Sequence, residues 1–156
     1  MLADRIEGKW IDAFAQTFEL CQVKPGEAVA ILSETQSRPL NVRLAELALL
    51  RLKARPFHVV IPTPPQAAPV PVRSTGASDA VRKLEPVVAA LAASGMVVDL
   101  TVEGMLHAPE LPAILKGGAR LLMVSNEHPE ALERLVPDPA LAPKVKAGVK
   151  RLKAAK

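Results

Sequence analysis

The sequence is poor in the residue types that would narrow its class at once. It has one cysteine, Cys21, with three phenylalanines, one tryptophan and no tyrosine among 156 residues. A lone cysteine excludes an internal disulfide framework and suits a reducing compartment. With so few aromatic side chains, the core has to be built from Val, Leu, Ile and Ala, which is typical of parallel sheets covered by helices.

Long apolar runs are also absent. No stretch approaches the roughly 20 apolar residues that a membrane-spanning helix needs. The first seven residues include Asp4 and Glu7, whereas a secretory signal would have a basic segment followed by an apolar one. We therefore expect a soluble, cytoplasmic protein that has no membrane partner. The hydrophobic content of 49% is sufficient for one full core.

The net charge of +4 is concentrated at the C-terminal end. Residues 144–156 hold six of the 20 Lys and Arg and no acid, so residues 1–143 have 14 cations against 16 acids and a net charge of −2. A nucleic-acid-binding protein needs a basic face on its folded surface, and this distribution argues against that class. We predict an α/β domain over residues 1–138, followed by a lysine-rich helical tail or linker over 139–156.

Short apolar runs alternate with helical patterns along the chain. Patterns typical of buried strands occur at 28–32, 57–61, 96–100 and 120–124. Helical patterns precede, separate and follow these runs: a stripe from Ile6 to Cys21, a segment that begins at Pro39, and short segments at 109–116 and 129–135. A further helical segment extends from Ser78 or Asp79 to Ala93, and Pro86 marks either a kink in it or its true start. This alternation predicts a three-layer α/β fold, with a mostly parallel sheet of about four strands and helices on both faces.

Residues 62–72 carry five prolines. Proline lacks an amide donor and restricts φ, so this stretch is excluded from a helix or a central strand. We interpret it as an extended connection, with a role as a ligand for PxxP-binding domains as the alternative.

Ligands of parallel sheets bind beyond the carboxyl ends of the strands. This rule selects four loops, at 33–38, at the proline-rich stretch, at 101–107 and at 125–128. No GxGxxG, GxxxxGK[ST] or GxSxG motif follows a strand, and no cysteine lies in these loops. The sequence therefore predicts neither a nucleotide site nor nucleophilic catalysis.

The three histidines are the candidates for proton transfer or metal binding. Their spacing matches no HxH or HxxxH pattern, so no metal site is predicted within this chain. His58 lies in a strand pattern, where a histidine satisfied by hydrogen bonds is the simpler interpretation, and His128 is expected to cap the helix that begins at Pro129. His107 stands between a strand end and a helix start, where an imidazole reaches a ligand and exchanges a proton near neutral pH. Position alone leaves a functional histidine and an ordinary loop histidine equally open.

The sequence around His107 resembles that of a known family. Val97-Val98-Asp99 and the segment Met105-Leu106-His107-Ala108-Pro109-Glu110 are similar to the "VVD…LLHSPE" stretch of the 2,5-dihydroxypyridine 5,6-dioxygenases, which share a superfamily with the thermophilic metallo-aminopeptidases. The likeness continues over 114–122 and 129–137, similar to "ILKTGTRILL" and "PPEVLARMLP", and over "RLKA" at 51–54. Met105 and Ala108 stand where the family pattern has leucine and serine.

The resemblance implies that this chain is part of a larger enzyme. It would be the amino-terminal, substrate-cleft domain of a non-haem Fe(II) ring-cleaving dioxygenase acting on 2,5-dihydroxypyridine or a similar hydroxylated N-heteroaromatic. The family's iron ligands, two histidines and an aspartate, belong to a carboxy-terminal domain, so this chain is expected to bind no cofactor and to be inactive alone. The family's cleft histidine and the leucine before it correspond to His107, the predicted catalytic residue, and to Leu106, which would bind substrate with it.

Two further hypotheses stay open on the sequence. One is the equivalent domain of a metallo-aminopeptidase, and the other is a stand-alone binding or scaffold module that docks through its proline-rich loop or lysine-rich tail. Under the leading hypothesis, the partners are the protein's own carboxy-terminal catalytic domain and further copies in a homo-oligomer. Such partners are expected because a domain that forms half of a cleft exposes apolar surface.

Overall fold

A computed structural model describes residues 5–65 and 76–155. In chain order, the elements are α1 (Gly8–Leu20), β1 (Ala28–Glu34), α2 (Pro39–Arg51), β2 (Arg55–Ile61), α3 (Glu85–Ala92), β3 (Met96–Leu100), α4 (Leu111–Lys116), β4 (Arg120–Met123), α5 (Pro129–Arg134), a 3-10 turn (Pro139–Leu141) and α6 (Ala142–Ala154). The four strands form a parallel sheet in the order β2-β1-β3-β4. The predicted three-layer α/β fold is confirmed.

The two faces of the sheet bury different side chains, because successive strand residues point to opposite sides. From β1, Val29 and Ile31 pack with α1 and α2, whereas Ala30 and Leu32 pack with α3 and α4. The same division holds for β3, and both central strands are buried over nearly their whole length. The core is aliphatic on both faces except for the aromatic side chains of α1.

Those aromatic side chains follow the predicted helical spacing. Trp10, Phe14 and Phe18 are buried, and the rings of Phe14 and Phe18 meet edge-on with centroids 5.9 Å apart. The indole N–H of Trp10 donates to Glu133 at 3.0 Å and so joins α1 to α5. Ile6, predicted to begin this stripe, precedes the helix and is exposed, so that part of the prediction was wrong.

The end of β1 also differs from the prediction. Ser33 and Glu34 were assigned to a loop because they are polar, but both belong to the strand and are buried. They pair with Val60 and Ile61 of β2. Polar side chains are accepted inside a fold when hydrogen bonds satisfy them, and the Oε1 atom of Glu34 has two such bonds, whereas its buried Oε2 has none.

The start of α3 was ambiguous in the sequence, and the alternative at Pro86 is confirmed. The helix begins at Glu85, and the residues before it form turns. Ser78 does act as a local cap, since its hydroxyl accepts from the amide of Ala80 at 3.1 Å, but the turn that it caps does not continue as a helix. Of the proline-rich stretch, residues 62–65 belong to no helix or strand, and 66–72 lie outside the described residues.

The lysine-rich tail contains α6, as predicted, and none of its described residues is buried. A stripe of apolar side chains runs along it, formed by Leu141, Val145, Val149 and Leu152. The division of the chain at residue 138 stays a prediction. Within the described ranges, every helix is too short or too polar to cross a bilayer.

Candidate functional site

The loops at the carboxyl ends of the strands are joined by hydrogen bonds. The hydroxyl of Ser37 donates to the last carbonyl of β3 at 2.7 Å, which links the loops after β1 and β3. The amide of Arg38 donates to Asn126 Oδ1 at 2.8 Å, which adds the loop after β4. The amide of Gln36 donates to the hydroxyl of Thr63 at 3.0 Å, which adds the described part of the connection after β2. The described parts of the four predicted loops therefore meet at one edge of the sheet.

Asp99 is fully buried near the end of β3 and organises the loop that follows. Its Oδ1 accepts from the amide and the hydroxyl of Thr101 at 3.0 and 2.6 Å, and its Oδ2 accepts from the amide of Met105 at 2.7 Å. Burial raises the pKa of the Asp99 carboxyl, and these three donors oppose that rise because they stabilise the charged form. The buried Asp99 carboxyl group thus holds both the start of the loop and the backbone immediately before Leu106.

Glu34 is a second buried carboxyl at the same edge, at the end of β1. Its Oε1 accepts from the hydroxyl of Ser78 at 3.2 Å and from the amide of Val102 at 3.3 Å. Burial raises the pKa of Glu34 above its ordinary value of 4.5, and the nearby charge of Asp99 acts in the same direction, while the hydrogen-bond donors oppose it. Glu34 therefore links the segment of Ser78 to the loop that contains Val102. Its burial is less favourable when the carboxyl group is ionised.

The wild type is expected to lose stability as pH rises because Glu34 ionises, and Glu34→Gln is expected to lack this loss. Because folding raises the pKa of Glu34, its stabilising contribution is complete below the unfolded pKa and is lost as pH rises through the folded pKa. Urea denaturation at a series of pH values between about 4 and 8 measures this contribution. The free energy of unfolding of the wild type should fall relative to that of Glu34→Gln across the window. Asp99 is present in both proteins, so the difference reports Glu34 together with its interaction with Asp99, and a difference that is constant with pH contradicts the assignment.

Leu106 and His107 lie in the turn between β3 and α4, as predicted. The residues on either side of the pair, Met105 and Ala108, are buried in the core formed with α3 and α4. Leu106 is 54% exposed and His107 is exposed as well. The fold thus anchors the main chain on both sides of this pair and presents the two side chains outward.

Gly76 packs directly against this pair. Its amide donates to the carbonyl of Glu103 at 2.6 Å, and the amide of His107 donates to the Gly76 carbonyl. Gly76 has φ +75°, and a Cβ built on it would lie 2.9 Å from Leu106 Cβ and 3.2 Å from His107 Cδ2. Gly76 was not predicted as a site residue, because its only local signal is a glycine after a proline-rich stretch, which does not reveal the loop that it contacts.

The other two histidines occupy separate elements. His58 lies on the edge strand β2, with Nε2 3.6 Å from Glu46 Oε1 on α2. His128 Nδ1 accepts from the amide of Glu130 at 3.2 Å, which confirms that it caps α5. In the part of the chain that the structure describes, no three His, Cys, Asp or Glu side chains form a group that could hold a metal ion.

Comparison with known proteins agrees with the resemblance around His107. Residues 9–156 match the 2,5-dihydroxypyridine 5,6-dioxygenase (NicX) family. The 2,5-dihydroxypyridine 5,6-dioxygenase of Pseudomonas putida KT2440 is 33% identical over 126 residues, which are 80% of this chain and 35% of that relative. The solved structure of 2,5-dihydroxypyridine dioxygenase from the same strain matches with a TM-score of 0.75 and 32% identity, over 83% of this chain and 37% of that one.

The chain therefore spans little more than a third of the length of these relatives. The match nevertheless includes the strands and loops that carry the candidate site, because it covers residues 9–156. This chain belongs to the 2,5-dihydroxypyridine 5,6-dioxygenase family.

Proposed function

We propose that this chain is the amino-terminal, substrate-cleft portion of a ring-cleaving dioxygenase that acts on 2,5-dihydroxypyridine or a similar hydroxylated N-heteroaromatic. The observation that supports it most is the exposed pair Leu106 and His107, held on anchored backbone at the carboxyl edge of the sheet. Ligand sites of parallel sheets lie at this edge. Both relatives are named for 2,5-dihydroxypyridine, which supports the substrate class.

In this proposal, His107 accepts the proton of a ring hydroxyl of the bound substrate. Deprotonation raises the electron density of the ring and so favours its attack by oxygen. Leu106 offers an exposed apolar side chain next to the imidazole, suited to contact with the flat face of an aromatic ring. General acid–base catalysis of this kind typically contributes about 10²- to 10⁴-fold to the rate.

The dioxygenase proposal requires iron from outside the described residues, since these contain no ligand set that fits Fe(II). We propose that a carboxy-terminal domain of the full-length protein holds the iron, and none of the steps assigned to this chain passes through the metal. The same domain is proposed to complete the cleft, and the chain alone is proposed to be inactive. Homo-oligomerisation and a cytoplasmic location belong to the same proposal; the exposed apolar stripe of α6 supports a covering partner.

The full-length protein with Fe(II) and 2,5-dihydroxypyridine tests this proposal. We expect loss of substrate with uptake of one O₂ per ring cleaved, because a dioxygenase places both oxygen atoms in the product. Oxygen uptake by an electrode and substrate loss by absorbance give the ratio, with iron-free protein as the control.

The metallo-aminopeptidase hypothesis predicts a different result from the same preparation. It requires cleavage of an aminoacyl amide with zinc or cobalt and without oxygen uptake. Amide cleavage in the absence of ring cleavage would overturn the dioxygenase proposal. The stand-alone module predicts neither activity.

A further inference from the structure

The loop that carries Leu106 and His107 is attached through Asp99 to β3, a central strand of the sheet. This residue lies on a central strand, in register with Leu32 of β1 and Met123 of β4. Its carbonyl accepts from the amides of Val124 and Ser125, both at 2.9 Å. Strand pairing on both sides and these extra bonds leave the Asp99 backbone little freedom, so its side chain is a fixed point for the loop.

The contacts of that side chain lie at the two places that determine the course of the loop. Thr101 binds Oδ1 where the chain leaves β3, and the amide of Met105 binds Oδ2 immediately before Leu106. The hydroxyl of Thr101 also accepts from the amide of Gly104 at 3.1 Å, which closes the turn between them. Hydrogen bonds to a charged acceptor are shorter and stronger than those to a neutral amide, so a carboxylate holds this turn more tightly than asparagine would.

A second segment holds the loop from its other side. The backbone of residues 76–78 runs along the loop and is joined to it by three hydrogen bonds. The amide of Gly76 donates to the carbonyl of Glu103, and the amide of His107 donates to the carbonyl of Gly76. The amide of Ser78 donates to the carbonyl of Gly104 at 2.8 Å. The closest approach is at Gly76, where any Cβ would press on Leu106 Cβ and the His107 ring. Neither contact involves the free end of a flexible chain, so a side chain at position 76 would have to displace the pair.

From these contacts we propose that Asp99 and Gly76 are positioning residues, which together determine where the side chains of Leu106 and His107 stand in the cleft. Asp99 holds the loop to the sheet, and Gly76 leaves the space into which the pair packs. The catalytic consequence rests on the proposed function, whereas the placement itself does not. A displacement of about 1 Å in a reacting group can reduce turnover by about 10²-fold, so control of this placement would be a direct part of the enzyme's rate.

The first test is Asp99→Asn in the full-length protein. The asparagine side chain has nearly the same volume as that of aspartate, but its NH₂ group faces one or more of the three donors, which are the amide and hydroxyl of Thr101 and the amide of Met105. At least one of these hydrogen bonds is therefore lost. We expect hydrogen exchange of the Met105 and His107 amides to become about 10-fold faster or more, with no change at Val98 within β3. We also expect kcat to fall by about 10-fold with KM nearly unchanged, because a misplaced proton acceptor impairs the chemical step more than binding. Wild-type exchange at Met105 and His107 would overturn the proposal.

The second test is Gly76→Ala, which avoids any change in the buried carboxyl. Its matched control is Gly26→Ala, since Gly26 has nearly the same φ, +78°, and nothing within 4 Å of a Cβ. Both variants place an alanine at nearly the same positive φ, but only Gly76→Ala should shift the ring proton resonances of His107 and lower kcat. Equal His107 resonances in the two variants would overturn the role of Gly76. Hydrogen exchange and ring resonances can be measured without turnover. If the wild-type protein leaves 2,5-dihydroxypyridine intact, the proposed function is overturned, but these two measurements still test whether Asp99 and Gly76 position Leu106 and His107.

Discussion

His107→Ala in the full-length protein is expected to lower kcat for 2,5-dihydroxypyridine by about 100-fold or more, while the bound iron stays at the wild-type amount. The reason is that the variant removes the proposed proton acceptor but leaves the loop backbone in place, since the Asp99 and Gly76 contacts reach it through main-chain atoms. Steady-state kinetics and iron determination on the same preparation measure both quantities.

The matched control is His58→Ala. His58 is also exposed, but it lies on the edge strand β2 and contacts Glu46 of α2, which packs on the opposite face of the sheet from the Met105 and Ala108 core. Its replacement should leave kcat unchanged. Loss of iron in step with loss of activity in His107→Ala would make His107 a metal ligand or a structural residue, and wild-type turnover would remove it from the site altogether.

Phe18→Ala is expected to have the largest effect on stability, a loss of about 3–5 kcal/mol in the free energy of unfolding. The ring of Phe18 is fully buried between α1 and the sheet and contacts Phe14 edge-on, in a core that apart from Trp10 is filled by aliphatic side chains. Truncation leaves a cavity that these neighbours fill only in part. Urea denaturation with an unchanged m value measures the loss.

Phe57→Ala provides the comparison, because Phe57 lies on the edge strand β2 and is 37% exposed. Truncating it should cost less than about 1 kcal/mol, as is usual for exposed positions. Similar losses for the two phenylalanines would show that α1 contributes less to the core than its buried surface indicates.

Local sequence patterns predicted one part of the candidate site and not the rest. His107 was selected because it follows a strand pattern and precedes a helix start, and the structure places it there. The two residues that hold its loop in place were not recognisable. Asp99 was noted only as part of the segment that resembles the family, and Gly76 was not noted. Their roles depend on which atoms they meet, and a single sequence has no periodic signal for a carboxylate that accepts from Met105 or for a glycine packed under Leu106.

The ambiguity at Ser78 has the same origin. A serine followed by a helical pattern is a good cap, and the sequence alone allows the helix to begin there or at Pro86. In the structure, the Ser78 hydroxyl donates to Glu34, 44 positions earlier in the chain, and α3 begins only at Glu85. The Ser78 hydroxyl also accepts from the amide of Ala80, so a local cap by itself did not start the helix.

The sequence by itself determined the alternation of strands and helices, the aliphatic core with one aromatic helix, and the position of His107 beyond a strand end. These features depend on spacing within a few residues, which the 2-residue and 3.6-residue periods of strands and helices make visible. Only the tertiary structure decided the strand order β2-β1-β3-β4, the burial of Glu34 and the placement of Gly76 against His107. The physical reason is that these depend on contacts between distant residues, such as Glu34 and Val102, 68 positions apart, which form only when the layers pack.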